Sequence, residues 1–367
     1  MQTDVVVVGA GPAGLATAIA ASLRGLRVTV IDSRKPPVDK PCGEGLLPDA
    51  VSSLRGIGVE LDTVPAFRFS GFRFSDEKSS ISARISGGEA FGLRRTALQH
   101  LLIRRSLDLG VSFLCGAKIS EFDFSGVRVG GRFIGCNWLV GADGQGSAVR
   151  RWAGLGPLRY RRSRFGFRRH YQVSPWSDLV EVHWGERCQM IVTPIGPEEV
   201  CIVLLSSDAR LRIESAFAQF PEISRRLAGA TPTSKEAGAV TALGRARAVV
   251  RKNVALVGDA SCTIDGVAGH GISLAVREAI QLADALARED IASYESAHRQ
   301  LTRLAIGMTR LLLLLDRSTF LRRRALRSFQ ANPAVFSKMI SLHMGEHPEE
   351  SLSPRTILDL GWQVLCA

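Results

Sequence analysis

Two hydrophobic patterns alternate along the chain, and their order predicts a layered α/β molecule. Val5–Val8 is an unbroken apolar run, as a parallel strand covered on both faces requires. The alanine-rich stretch from Pro12 to Arg24 has no internal breaker, and Gly25 stands where that helix should end. Val28–Ile31 supplies a second buried strand, completing a β-α-β unit. From Lys35 the pattern loosens into loop, with four prolines and two glycines in "KPPVDKPCGEGLLPDA". Phe67–Phe74 and Ser80–Ile85 then alternate like antiparallel strands of a second sheet. Helical period returns from Arg95 to Leu109, followed by short strands at Val111–Leu114, Val127–Val129 and Trp138–Val140. A mostly β segment is expected from about Phe165 to Leu205 and a helical one through Ala228. The buried strand Val254–Val257 reopens the first pattern, a long helix follows from Ile272 to Arg288, and the last part of the chain reads as helical and basic.

Three of the buried strands end in glycine and acid. In Gly9-Ala10-Gly11-Pro12-Ala13-Gly14, Gly9 makes a tight turn, Gly11 admits a pyrophosphate to the backbone, and Gly14 lets helix and strand pack closely. The phosphates then meet free N–H groups at the helix start, and Asp32, closing the next strand, can accept from an adenosine ribose. This unit by itself leaves NAD and FAD open. The acid–glycine ending recurs at Asp143-Gly144 in "VGADGQGSAVR" and at Gly258-Asp259 in "ALVGDASCTIDGVAGHGI".

With all three motifs present in this order, the chain resembles the FAD-dependent monooxygenases of the p-hydroxybenzoate hydroxylase type and the related geranylgeranyl reductases, to about residue 300. The resemblance implies a doubly wound, Rossmann-like FAD-binding domain built from residues 1–66, 93–155 and 245–303. A mostly antiparallel β substrate domain (67–92 and 156–244) is inserted, and a helical C-terminal segment (304–367) follows. It also implies that Gly258 and Asp259 hold the ribityl and pyrophosphate part of FAD, and that Gly269, His270, Gly271 and Ile272 place backbone N–H groups beside the flavin. The positive end of the following helix would stabilise charge on the reduced ring. Arg95, Leu98 and Leu102 match the family's Arg-x-x-Leu-x-x-x-Leu helix, whose arginine reaches the cofactor. Asp143 and Gly144 match a motif associated with both FAD and NAD(P)H. Where relatives carry proline after Gly-Asp, this chain reads "IDGVAG".

The loop "DKPCGEGLLP" (residues 39–48) bears on reaction type. It is similar to the Cys-Gly-Glu-Gly-Leu of geranylgeranyl reductases and to the Gly-Glu-Ser-Leu-Leu-Pro of flavin-dependent halogenases, where it lies beside the isoalloxazine. Cys42 and Gly43 then border the flavin, with Cys42 as wall or proton donor. The halogenase Trp-x-Trp-x-Ile-Pro is absent, and the reductases' Tyr-x-Trp-x-Phe-Pro is replaced by "QMIVTPIG" (189–196). His170, His183 and His270 are candidate bases, with His270, between two glycines, the best placed. The expectation favours an NAD(P)H-dependent monooxygenase that hydroxylates an apolar, phenolic or lipid-like natural product with O₂ through a flavin C4a-hydroperoxide. Reduction of prenyl C=C bonds is the alternative, and a FAD-binding protein with a docking role a third.

Composition narrows the setting. Of 367 residues 46% are hydrophobic, enough for a large core. The seven cysteines are scattered without a Cys-x-x-Cys pair, so neither a disulfide framework nor a metal site is indicated. Met1 runs into a strand with no room for a signal peptide, which leads us to expect a cytoplasmic chain. The net charge of +12 fits either a solvated arginine-rich surface or an anionic partner such as a membrane surface or a phosphate-bearing ligand, and no helix-turn-helix, RNP or zinc-finger pattern points to nucleic acid. Between Arg310 and Asp316 lie five leucines, too few for the ~20 apolar residues of a membrane span. An amphipathic helix is expected there, with Leu311–Leu315 packed inward and Arg322, Arg323 and Arg324 forming an exposed rim for peripheral membrane contact.

Overall fold

A computed structural model describes residues 2–345. Strand Gln2–Val8, helix α1 (Pro12–Ser22) and strand Val28–Asp32 form the expected β-α-β unit, the strands pairing in parallel with Val5 opposite Val28. Gly25 ends the helix region at φ +81°, a conformation that costs other residues strain. The sheet continues on both sides of this pair. Its order is Val250–Arg251, Val254–Leu256, Arg132–Gly141, Gln2–Val8, Val28–Asp32 and Ser112–Cys115, with Ile119–Asp123 and Gly126–Val129 hanging from Arg132–Gly141 as an antiparallel extension. All central pairings are parallel. Helices α2 (Arg95–Asp108) and α3 (Gly271–Ala287) both pack on α1, so strand and helix segments far apart in sequence share one core around Val5–Val7, Leu15, Ile19 and Ala279. This is a Rossmann-like arrangement, and the loops at the carboxyl ends of its strands converge on one side.

A second sheet of nine strands is mostly antiparallel. Its main path runs Cys262–Thr263, Ala237–Arg245, Arg159–Gln172, Glu199–Ser206, Cys188–Gly196, Leu179–Trp184, Gly71–Ser75 and Ser80–Arg84. Strand Cys188–Gly196 is buried along its whole length because the sheet is covered twice. Val180, Ile191, Val203 and Leu205 face the C-terminal helices, whereas Met190, Val192, Ile202 and Leu204 face Ile213, Phe220 and Ile223. Two local expectations change. The run Phe67–Phe74 splits at Ser70, with Phe67–Phe69 joining Gly45–Leu46 and Ala90–Gly92 in a three-stranded sheet. Pro48, read as loop, opens the helix Pro48–Gly56, where proline at the first position costs no hydrogen bond.

Three further helices follow: α4 (Ile291–Arg317), α5 (Thr319–Ala331) and α6 (Pro333–His343). The rest of the expected helical segment, residues 346–367, lies outside the described residues. The expected rim is corrected here. The inward stripe of α4 is Ala305, Ile306, Met308, Leu312 and Leu315, which leaves Leu311 and Leu314 exposed on the other side. Arg322 is buried with its guanidinium 5.8 Å from the Trp184 ring centre, and Arg323 pairs with Asp76 and Glu77. Among the described residues no helix is long and apolar enough to cross a membrane.

Candidate functional site

The first two glycine–acid turns border one cavity of about 310 Å³, lined among others by Gly9, Gly11, Asp32, Arg34, Lys40, Arg95, Asp143 and Trp152. Its floor is backbone. Gly9 lies at φ +112°, and a Cβ there would stand 2.3 Å from the Ala142 carbonyl oxygen; one on Gly14 would stand 1.9 Å from the Gly9 oxygen. A side chain at either position would force the neighbouring backbone to move. Pro12 starts α1 without an N–H of its own, and no side chain caps the helix, so its first donors are free for a phosphate. Asp32 accepts from Ala10 N (2.8 Å) through one oxygen and from Arg34 N (2.8 Å) through the other. Asp143 accepts from Ala148 N (2.6 Å) through Oδ2, while its buried Oδ1 has no partner and is available to a ligand. Gly144 beside it is at φ +83°.

Arg95 begins α2, is buried, and donates to Val38 O at 2.6 Å. Together with Arg34 and Lys40 it makes this wall cationic. Loss of hydration and the neighbouring arginines push the Lys40 ammonium down from its ordinary value, the response of a cation waiting for an anion. Gln99 ties the loop to the turn, accepting from Val38 N (2.7 Å) and donating to Ala10 O (2.5 Å). Trp152, 40% exposed, stacks on Phe122 at 6.0 Å and 13°.

The third turn adjoins the first. Gly258, at φ +59°, would bring a Cβ within 2.7 Å of the Ala13 Cβ, so contact between the two turns depends on both small residues. Buried Glu278 of α3 holds this turn from behind, accepting from Gly258 N (2.6 Å) and Ser261 Oγ (3.1 Å). Asp259 is solvent-accessible, yet the protein around it displaces enough water to push its carboxyl up, with Lys40 and Arg95 opposing. Gly269 (φ +67°), Gly271 and Gly43 have open space where a Cβ would stand. No side chain caps α3, and Ile272 is half-buried in its first turn. An anionic, planar group meets free N–H donors here and no obstructing side chain. The cationic cavity, the unpartnered Asp143 oxygen and the empty glycine cradle fit FAD.

Sequence reasoning named Cys42 in the neighbouring loop but gave no role to Glu44. Glu44 sits at φ +60°, which is strained for a side-chain-bearing residue, and its carboxylate is buried. One oxygen accepts from Arg95 N (2.9 Å) and the other meets His170 Nε2 at 2.6 Å. His170 Nδ1 lies 2.9 Å from Ser234 Oγ and 3.1 Å from Arg168 Nη1, and Arg168 pairs with exposed Asp39. The Glu44 N–H reaches Cys42 Sγ at 3.4 Å, and burial pushes the Cys42 thiol up, so it stays protonated at neutral pH. A chain of side-chain hydrogen bonds thus joins the Glu44 carboxylate through His170 to half-exposed Ser234, while Cys42 meets only the Glu44 backbone N–H. Cys201 completes a group with Glu44 and His170 whose ligand atoms lie within 4.8 Å of one another, the direct carboxylate–imidazole bond linking two of them without an ion.

The other histidines lie elsewhere. His270 contacts His343 of α6, Nε2 to Nδ1 3.4 Å and ring centres 4.0 Å apart. Burial pushes the two down to about 4 and about 3, so both are neutral at physiological pH. His183 is held on the second sheet by Ser75 (2.8 Å) and Glu181 (3.1 Å).

Comparison with known proteins agrees with this geometry. The FAD binding domain family matches residues 2–293. Menaquinone reductase of Mycolicibacterium smegmatis is 30% identical over 328 residues, 81% of this chain and 79% of the relative. The 3-(3-hydroxy-phenyl)propionate/3-hydroxycinnamic acid hydroxylase of Mycobacterium sp. (strain JLS) is 30% identical over 169 residues, 42% of this chain and 30% of that one. Among solved structures, a flavoprotein/dehydrogenase from Cytophaga hutchinsonii superposes with a TM-score of 0.82 over 94% of this chain and 93% of its own, at 17% identity.

Proposed function

The chain belongs to the FAD binding domain family, and from that premise we propose that this flavin-dependent oxidoreductase saturates carbon–carbon double bonds in the prenyl chain of an apolar lipid, with NAD(P)H as reductant. The observation that carries the reading is the protonated Cys42 thiol set beside the buried Glu44–His170 pair. FAD, when bound, supplies a hydride. Gly9, Gly11, Ala13, Gly14, Asp32, Arg95, Asp143 and Asp259 hold it, and Gly43, Gly269 and Gly271 leave room for its ring. Hydride addition to one alkene carbon requires a proton at the other. The neutral thiol of Cys42 gives that proton, and the Glu44 N–H, at 3.4 Å, steadies the thiolate that remains. Cys42 is half-buried, so the thiolate recovers its proton from solvent.

Two further points support reduction over hydroxylation. The menaquinone reductases match about four-fifths of the chain, whereas the hydroxylases match 42%. Menaquinone is itself a quinone bearing a prenyl chain. The second reading, hydroxylation of an apolar phenol with O₂, is favoured by the missing Tyr-x-Trp-x-Phe-Pro in strand Cys188–Gly196. Product mass separates the two. Incubated anaerobically with NAD(P)H and a prenylated quinone, the enzyme should add two hydrogens per reduced alkene. A product gaining one oxygen atom under air, with no turnover anaerobically, replaces the first reading by the second.

A further inference from the structure

Helix α4 is apolar on two sides. Its inner stripe, with Ile306, Met308 and Leu312, shares a core cluster with Val267 and Leu274 beside the cofactor turn and with Val182 and Trp184 of the second sheet. Its outer stripe leaves Leu304 37%, Leu311 37% and Leu314 49% exposed, and Phe320 at the start of α5 is 65% exposed. Four of the eleven exposed large apolar side chains among the described residues are thus gathered on two consecutive helices. Such a concentration calls for a partner, whereas the others are single and scattered.

The charges around this stripe select the partner. Arg303, Arg310 and Arg317 recur every seven residues, two helical turns, so they line one edge of the leucines, and all three are exposed. No carboxylate among the described residues pairs with them. From Ser296 to the end of α4 the sole acid is Asp316, and it is turned inward onto Arg164 at 2.9 Å. Exposed Arg327 extends the basic border along α5. Leucines and a phenylalanine edged by unopposed arginines, on a helix that cannot span a bilayer, have the make-up of an interfacial helix.

We propose that the outer face of α4 and the start of α5 dock the enzyme on an anionic lipid surface. Leu304, Leu311, Leu314 and Phe320 enter between headgroups, and Arg303, Arg310 and Arg317 meet phosphates. One helix diameter, about 10 Å, then separates the lipid from the apolar cluster beside the cleft. The inference rests on the surface of α4 and not on the reaction assigned above.

Co-sedimentation of the FAD-loaded protein with vesicles tests it. Binding is expected to vesicles of equal parts phosphatidylcholine and phosphatidylglycerol, at least about tenfold weaker to phosphatidylcholine alone, and weaker in high salt. Arg303→Gln/Arg310→Gln/Arg317→Gln should lower partitioning roughly a hundredfold, and Leu311→Ser/Leu314→Ser should lower it comparably. Both variants should keep the wild-type flavin spectrum and melting temperature, since neither touches the cleft. Equal binding to both vesicle types, or no binding at low salt, overturns the proposal. So does a stable dimer in solution that Leu314→Glu dissociates, which would assign this face to a second copy of the chain.

Discussion

At the adenosine end of the cleft the ligand-facing groups are backbone, and side chains serve to keep that backbone in place. Gly9 and Gly14 are there because a side chain would displace the backbone of the turn, and Asp32 gives both oxygens to N–H groups, of Ala10 and Arg34. At the loop end, by contrast, the decisive groups are side chains brought together from distant segments. Glu44 and His170 are separated by 126 positions and meet at 2.6 Å. The first end is a shape that a short run of chain must adopt. The second exists only once two sheets have docked. Substitutions should therefore separate the two: cofactor affinity at one end, turnover with cofactor retained at the other.

The largest effect is expected at Glu44. Glu44→Gln keeps size and the Arg95 N–H bond but removes the carboxylate charge that helps keep the Cys42 thiol protonated and holds His170, so turnover should fall about 10²-fold. His170→Gln should do the same, with FAD content by absorbance near one per chain in both. Loss of FAD in these variants would mean that the loop end is also cofactor scaffold, and the contrast would collapse.

His270 and His343 sharpen the comparison because they are buried without a carboxylate in hydrogen-bond contact. The groups facing them are Arg277 and Asp49, besides each other. The His270 pKa falls from 6.5 to about 4 on folding, so the unfolded chain binds more protons between those values. Stability is full above pH 6.5, declines as pH falls through that window, and loses nothing further from this group below about 4. The loss is on the order of 3 kcal/mol from His270. Denaturant titrations at pH 7 and pH 4.5 measure it, and His270→Gln should flatten the difference. An unchanged slope would show that the pair is hydrated in solution.

The smallest effect belongs to the adenosine end. Gly14→Ala sets a Cβ against the Gly9 carbonyl, and relief by backbone shift costs about 1–3 kcal/mol, a five- to 150-fold loss of FAD affinity. Turnover at saturating FAD should be near normal. A matching loss of turnover would show that the two ends are mechanically coupled.

This contrast also decides what the sequence could reveal. The first turn, Asp32, Asp143-Gly144 and Gly258-Asp259 were legible because glycine and acid at a strand end leave few alternatives, and they do converge. Glu44 was in plain view within Cys-Gly-Glu-Gly, but nothing local marks a glutamate whose partner is 126 positions away. Strand Ala237–Arg245 escaped notice because its small residues show no alternation; it forms by pairing with Arg159–Gln172. The inward side of α4 was misjudged for a related reason. A run of five leucines is apolar all round, and the packing of Leu312 and Leu315 sets the face.

Arg164 reaches three parts of the molecule at once. From strand Arg159–Gln172 it pairs with Asp265 of the cofactor-side loop at 2.8 Å and with Asp316 of α4 at 2.9 Å, all three side chains largely shielded from water. Removing one member of such a buried set leaves uncompensated charge, at about 3–5 kcal/mol. The loop and the overlying helix consequently share an opening free energy. Amides of Ile264–Val267 and of the adjoining turns of α4 would exchange with deuterium together, as one cooperative unit, so thermal breathing cannot lift that helix while leaving the loop folded.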